Sequence, residues 1–127
     1  MIFSEKKTFI IAEMANSHEG ILENAKKIVK SASEAGADAV KFQTFKAELI
    51  VTQNAKQAEY QTENIGKQES QYDMLKRLEL KEEDLKELKS YCDNKGIEFL
   101  STPHSEEWSV DVLENFEIVA YKIGSGD

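Results

Sequence analysis

Residues 34–43, Glu-Ala-Gly-Ala-Asp-Ala-Val-Lys-Phe-Gln, read as the end of a helix running directly into a buried strand. Upstream, Ile21, Ala25, Ile28, Val29 and Ala32 recur at helical spacing, and Gly36 stands where a helix stops in a left-handed turn. Downstream, Ala39, Val40 and Phe42 supply the apolar members of a strand over residues 37–43. The same alternation extends in both directions. Residues 8–13 (Thr-Phe-Ile-Ile-Ala-Glu) form a short β-branched run, expected to be a first strand buried on both faces. Residues 97–101 are expected as a third strand and residues 118–123 as a fourth. Tyr72, Leu75 and Leu78 suggest a short helix. Leu85, Leu88, Tyr91 and Cys92 line one face of a longer helix, with acidic residues 82–84 at its start and Lys95-Gly96 at its end. Ser105 is placed to cap a last helix whose buried face carries Trp108, Val112, Leu113 and Phe116. The order β-α-β-α-β-α-β implies a parallel sheet with right-handed crossovers, an α/β fold class. The polar connection over residues 44–69, with a short helix suggested by Ala55, Ala58 and Tyr60, is long enough to expect a functional role.

Composition narrows the class. Of the 127 residues, 40% are hydrophobic and 31% charged, a balance typical of a folded globular chain. With 24 acidic against 16 basic residues the net charge is −8, which offers no attraction to nucleic acid or an anionic membrane. An anionic ligand must therefore be held by a few local cations. One cysteine, Cys92, cannot form an internal disulfide, and the apolar patch over residues 9–12 is too short to be a signal core or a membrane span. A cytoplasmic protein is expected.

The ends of the strands carry the chemistry. Glu13 ends the first, Lys41 and Gln43 end the second, Ser101-Thr102 end the third, and Lys122 leads into Gly124-Ser125-Gly126-Asp127 after the fourth. Carboxyl ends of parallel strands are where α/β sheets and barrels bind ligands. A lysine in an apolar strand must be paired or ligated, since a lone buried ammonium is costly. Lys41 and Lys122 facing one mouth would make a phosphate or carboxylate pocket, with Thr102, Ser125 and the amides of Gly124 and Gly126 adding hydrogen bonds. The competing reading is that the two lysines pair with Glu13 and Asp127 and do nothing else. His18, in Asn16-Ser17-His18-Glu19-Gly20, is expected to order the turn into the first helix rather than to touch a ligand. His104, after Pro103, is a weaker candidate than His18 and is read as a helix-start residue, and Cys92 and Trp108 are read as core. Two histidines on distant loops do not make a metal site, and none is assigned here.

Taken together, the segments IIAE, the His-x-Gly turn, EAGADAVKFQTF, AEYQ with a following SQ and ML, FLSTP and YKIGSGD resemble the N-terminal part of the sialic acid synthase family. That family comprises N-acetylneuraminate, legionaminic and pseudaminic acid synthases. The resemblance covers residues 9–127. It implies that residues 1–127 are the first half of a TIM (β/α)8 barrel, with the later strands and an antifreeze-like domain absent from this chain. It implies a transferase reaction: condensation of phosphoenolpyruvate with an N-acylated amino sugar such as N-acetylmannosamine, giving a nine-carbon 2-keto acid. It implies a divalent metal, manganese or magnesium, whose ligands lie on later strands, so this chain alone is expected to be inactive. It also implies a homodimer. By position, Lys41, Thr102, Lys122 and Ser125 match phosphoenolpyruvate-binding residues, and Gln43 and Asn64 match sugar contacts. Glu13 matches an acid near the reacting carbons, and Asp127 stands where a glutamate is common. The first loop departs, with Met14-Ala15-Asn16-Ser17 where Ile-Gly-x-Asn is usual. Two alternatives use the same residues: another phosphoenolpyruvate-dependent 3-deoxy-sugar-acid synthase, or a non-catalytic anion-binding or partner-pairing α/β module.

Overall fold

The computed structural model of the chain describes residues 6–51 and 70–126. Its elements are β1 (Ile11–Ala15), α1 (Leu22–Glu34), β2 (Ala39–Thr44), α2 (Ala47–Ile50), α3 (Gln71–Leu78), α4 (Glu82–Lys95), β3 (Glu98–Pro103) and α5 (Glu106–Glu114). The strands form one sheet in the order β1-β2-β3, and both pairings are parallel. This is the α/β class that the alternating pattern implied. Each strand lies one to three residues later than the sequence pattern placed it.

The register divides the residues between two faces. Side chains alternate along a strand and register partners share a face. One face therefore carries Ala12 and Met14 of β1, Val40 and Phe42 of β2, and Phe99 and Ser101 of β3. The helices cover it. Met14, Val40, Phe42 and Phe99 join Ala25 and Val29 of α1, Leu85, Leu88 and Cys92 of α4, and Val112 and Leu113 of α5 in a single core. Phe42 and Phe99 stack with centroids 4.8 Å apart, and Phe116 meets Phe99 edge-on at 6.2 Å. Burying each such ring contributes roughly 1.5–3 kcal/mol. The opposite face carries Ile11, Glu13, Lys41, Gln43, Leu100 and Thr102, and it holds the polar groups.

The helix ends follow local chemistry. Ser70 accepts a hydrogen bond from the Asp73 amide at 3.0 Å and so caps α3. Acidic residues fill the first turn of α4, and Gly96 ends that helix at φ 69°. At the base of the sheet Asp38 accepts hydrogen bonds from the Ile10 amide (2.8 Å) and from Lys7 (3.0 Å), fixing the entry of β1 beside β2.

Several expectations are corrected. The first strand is not buried on both faces: Ile11 is 42% exposed, because its side chain lies on the face no helix covers. Residues 118–123 do not form a buried strand. They carry one parallel bridge, Ser101 to Tyr121, with the Lys122 amide donating to Ser101 O at 3.3 Å, and Val119, Tyr121, Lys122 and Ile123 are exposed. No neighbour lies on the far side of this segment among the described residues, so half of its backbone groups have no ladder to join. Ser105 stands at the N-cap of α5 but makes no capping bond; its hydroxyl accepts the Lys46 amide at 2.8 Å instead. Trp108 packs against the core as expected but stays half-buried, with Lys46 Nζ 4.4 Å from its ring centroid. The polar connection opens with the helical turn α2, which the sequence pattern missed. The helix suggested by Ala55, Ala58 and Tyr60 lies outside the described residues.

Candidate active site

Parallel pairing brings the polar ends of the strands together. Glu13 is the register partner of Lys41, and Gln43 is the partner of Thr102. Both pairs project from the uncovered face. Glu13, Lys41, Gln43, Thr102, Lys122 and Ser125 line one open cleft of about 500 Å³, with Gly124 and Gly126 on its wall. Lys41 and Lys122 thus share a cavity. Asn64 and Asp127 lie outside the described residues.

Within the cleft, Lys41 Nζ lies 2.7 Å from Glu13 Oε2 and 3.5 Å from Thr102 Oγ1, and its side chain is only 12% exposed. The pairing foreseen as the competing reading of Lys41 is therefore present, inside the cleft. Glu13 is held in turn: its Oε1 accepts the Ala15 amide at 3.0 Å. That bond spans an irregularity where the register with β2 slips between Glu13 and Ala15, and Ala15 lies at φ 47°. A left-handed backbone favours glycine, so alanine at position 15 is held there at a conformational cost. Lys122 is exposed and donates to the Ile123 carbonyl, so its ammonium is the less constrained of the two.

The turn after β1 is locked from inside. His18 is buried, and its Nδ1 accepts the Gly20 amide at 2.9 Å. Burial lowers its pKa, so the ring stays neutral with its proton on Nε2. This is the turn-ordering role the sequence suggested. Asn16, in the same turn, donates from Nδ2 to Gln43 Oε1 at 3.0 Å.

Asn16 was missed, and His104 was ranked too low. His104 lines the cleft rather than starting a helix, because β3 runs on to Pro103 and α5 begins at Glu106. Its position directly after the carboxyl end of β3 was the available signal. Asn16 left none beyond its place in a loop. Among the described residues no three His, Cys, Asp or Glu side chains cluster as a metal site. Glu13, already paired with Lys41, and a lone His104 do not fit a divalent ion.

The chain matches the NeuB family over residues 28–127. It belongs to that family. The chain is 47% identical over 124 residues to the N,N'-diacetyllegionaminic acid synthase of Legionella pneumophila, covering 98% of this chain and 35% of that protein. With the N,N'-diacetyllegionaminic acid synthase of Campylobacter jejuni it shares 44% identity over 122 residues, 96% of this chain and 36% of that protein. Its fold is similar to the N-acetylneuraminic acid (sialic acid) synthetase of Leptospira borgpetersenii, solved in complex with citrate. There the TM-score is 0.73 at 27% identity, over 94% of this chain and 36% of the other. This NeuB-family chain therefore spans about a third of the length of the relatives it matches.

Proposed function

We propose that this chain is the N-terminal, phosphoenolpyruvate-holding part of a NeuB-type synthase. The observation that carries the reading is the cleft itself. In a chain of net charge −8, two lysines, two hydroxyl side chains and a glycine-flanked turn gather at one mouth. Lys41, Lys122, Thr102 and Ser125 hold the phosphate and carboxylate of phosphoenolpyruvate. Gln43, and Asn64 beyond it in sequence, contact an N-acylated amino-sugar aldehyde. In the complete reaction C3 of phosphoenolpyruvate bonds to the aldehyde carbon, whose oxygen takes up a proton. Water adds at C2, and phosphate leaves with its C–O bond broken. The product is a 2-keto acid three carbons longer than the sugar. Glu13, beside Lys41, is placed to take or return a proton at those carbons, and Asp127 supplies a second carboxylate.

The exposed Ile11 and Ile123 beside the cleft favour further β/α units of the same synthase as the neighbours that cover this face. On that reading residues 1–127 are the first half of the barrel and are inactive alone, assembly is as a homodimer, and the compartment is the cytoplasm. No helix of the described residues is long and apolar enough to cross a membrane.

Titration calorimetry of the chain with phosphoenolpyruvate tests the reading. Saturable binding is expected. Lys41→Met weakens it by roughly tenfold or more, and Lys122→Met by less, since Lys122 is the more solvated cation. Absence of binding, or indifference to both substitutions, refutes it.

A further inference from the structure

Asn16 projects from the turn after β1 and touches the cleft only through Gln43. Its Nδ2 donates to Gln43 Oε1 at 3.0 Å. A primary amide has an acceptor end and a donor end. With the Gln43 oxygen engaged by Asn16, the end left for the cleft is the NH2 group. The turn holds Asn16 in place: the Ser17 amide donates to Met14 O, and the Glu19 amide donates to Asn16 O, both at 3.0 Å. The buried His18 ring closes the same turn through Gly20.

We propose that Asn16 is a positioning residue for Gln43. It fixes the Gln43 amide with its donor end toward the ligand, so that Gln43 selects an acceptor oxygen, a hydroxyl or an N-acyl carbonyl, on the sugar. The inference rests on the proposed function, and it assigns to Asn16 a share of the specificity for the sugar and none for the anion. The opposite orientation, with Gln43 Nε2 donating to Asn16 Oδ1, would turn the Gln43 oxygen toward the cleft and reverse the preference.

Asn16→Asp separates the two orientations, because a carboxylate of the same shape only accepts and forces Gln43 to donate to it. Binding of N-acetylmannosamine to the chain, with phosphoenolpyruvate present, is followed by NMR shifts, including the Gln43 side-chain amide. Asn16→Asp and Asn16→Ala should each weaken sugar binding by about three- to tenfold, the scale of one hydrogen bond, and leave phosphoenolpyruvate affinity within about twofold. In a Gln43→Ala background neither substitution should change sugar affinity further. Three results overturn the inference alone: wild-type sugar affinity in Asn16→Asp, equal loss of both ligands, or an Asn16 effect that persists without Gln43. Phosphoenolpyruvate binding with no sugar binding overturns it as well. Failure of the unsubstituted chain to bind phosphoenolpyruvate refutes the proposed function and takes this inference with it.

Discussion

Replacing Gly20 by alanine tests how the turn after β1 is built. Gly20 lies at φ 75°, and a Cβ there would sit 2.1 Å from the carbonyl oxygen of Arg77, at the end of α3. Two costs add. An alanine in the left-handed region costs roughly 1 kcal/mol. The overlap is with backbone, so either the turn or the end of α3 must move, which costs roughly a further 1–3 kcal/mol. The total is about 2–4 kcal/mol, a large share of the stability of a single domain. Gly36 is the matched control: it lies at φ 85° with nothing within 4 Å of its Cβ position. Gly36→Ala therefore carries the backbone cost alone, about 1 kcal/mol. Urea melts of the two variants at one pH isolate the steric part. In thermal melts Gly20→Ala should lower Tm by about 6–20 °C. If the two variants agree within about 0.5 kcal/mol, the close approach of the turn to α3 is not what demands glycine at position 20.

Other consequences follow from buried groups. Burial holds the pKa of His18 below its ordinary 6.5, so the unfolded state binds more protons once the pH falls below that value. Stability should decline as the pH drops from 7 through 6.5 toward the lower folded pKa. In His18→Gln that part of the slope should vanish, whereas an unchanged slope would place its origin elsewhere. The Cys92 thiol is pushed up to about 12, first by burial in the core between α4 and β3 and then by neighbouring carboxylates. A thiol reagent at pH 8 should leave the native chain unmodified and label it fully in denaturant; rapid native labelling would contradict the packing of α4.

The sheet was legible because its signals are local and physical. Gly36 and Gly96 terminate helices through their left-handed backbone, and β2 and β3 stand out as short apolar runs from which Val40, Phe42 and Phe99 reach the covered face. The position of Glu13, Lys41, Gln43 and Thr102 near the carboxyl ends of their strands was legible; that they share one face follows from the parallel register. Residues 118–123 show the limit of that reasoning. Apolar composition alone does not fix a strand: this run makes a single bridge, to Ser101, whereas β1, with β2 on one side only, pairs along its length. The slip between Glu13 and Ala15 was invisible for a related reason, since nothing in Glu-Met-Ala announces a left-handed alanine. Asn16 escaped notice because its contact with Gln43 crosses 27 positions and depends on where that turn carries it.

The two readings of Lys41, ligand-binding cation and structural ion pair, are compatible once its donors are counted. An ammonium has three N–H groups. One meets Glu13 at 2.7 Å and a second points toward Thr102 at 3.5 Å, which leaves one for the cleft. Without Glu13, a largely buried ammonium in the empty cleft would stand unpaired, at a desolvation cost the fold would have to absorb. With Glu13, that cost is offset before any ligand arrives, and the ammonium is already aimed. An incoming anion at Lys41 then adds to an existing ion pair and meets the negative charge of Glu13, whose carboxylate lies 2.7 Å from the same ammonium. Glu13 consequently weakens the binding of the anion while standing where a proton must move. Removing its charge by Glu13→Gln should tighten phosphoenolpyruvate binding by about two- to tenfold, read by the same calorimetry. Weaker binding would mean that the carboxylate serves chiefly to orient Lys41.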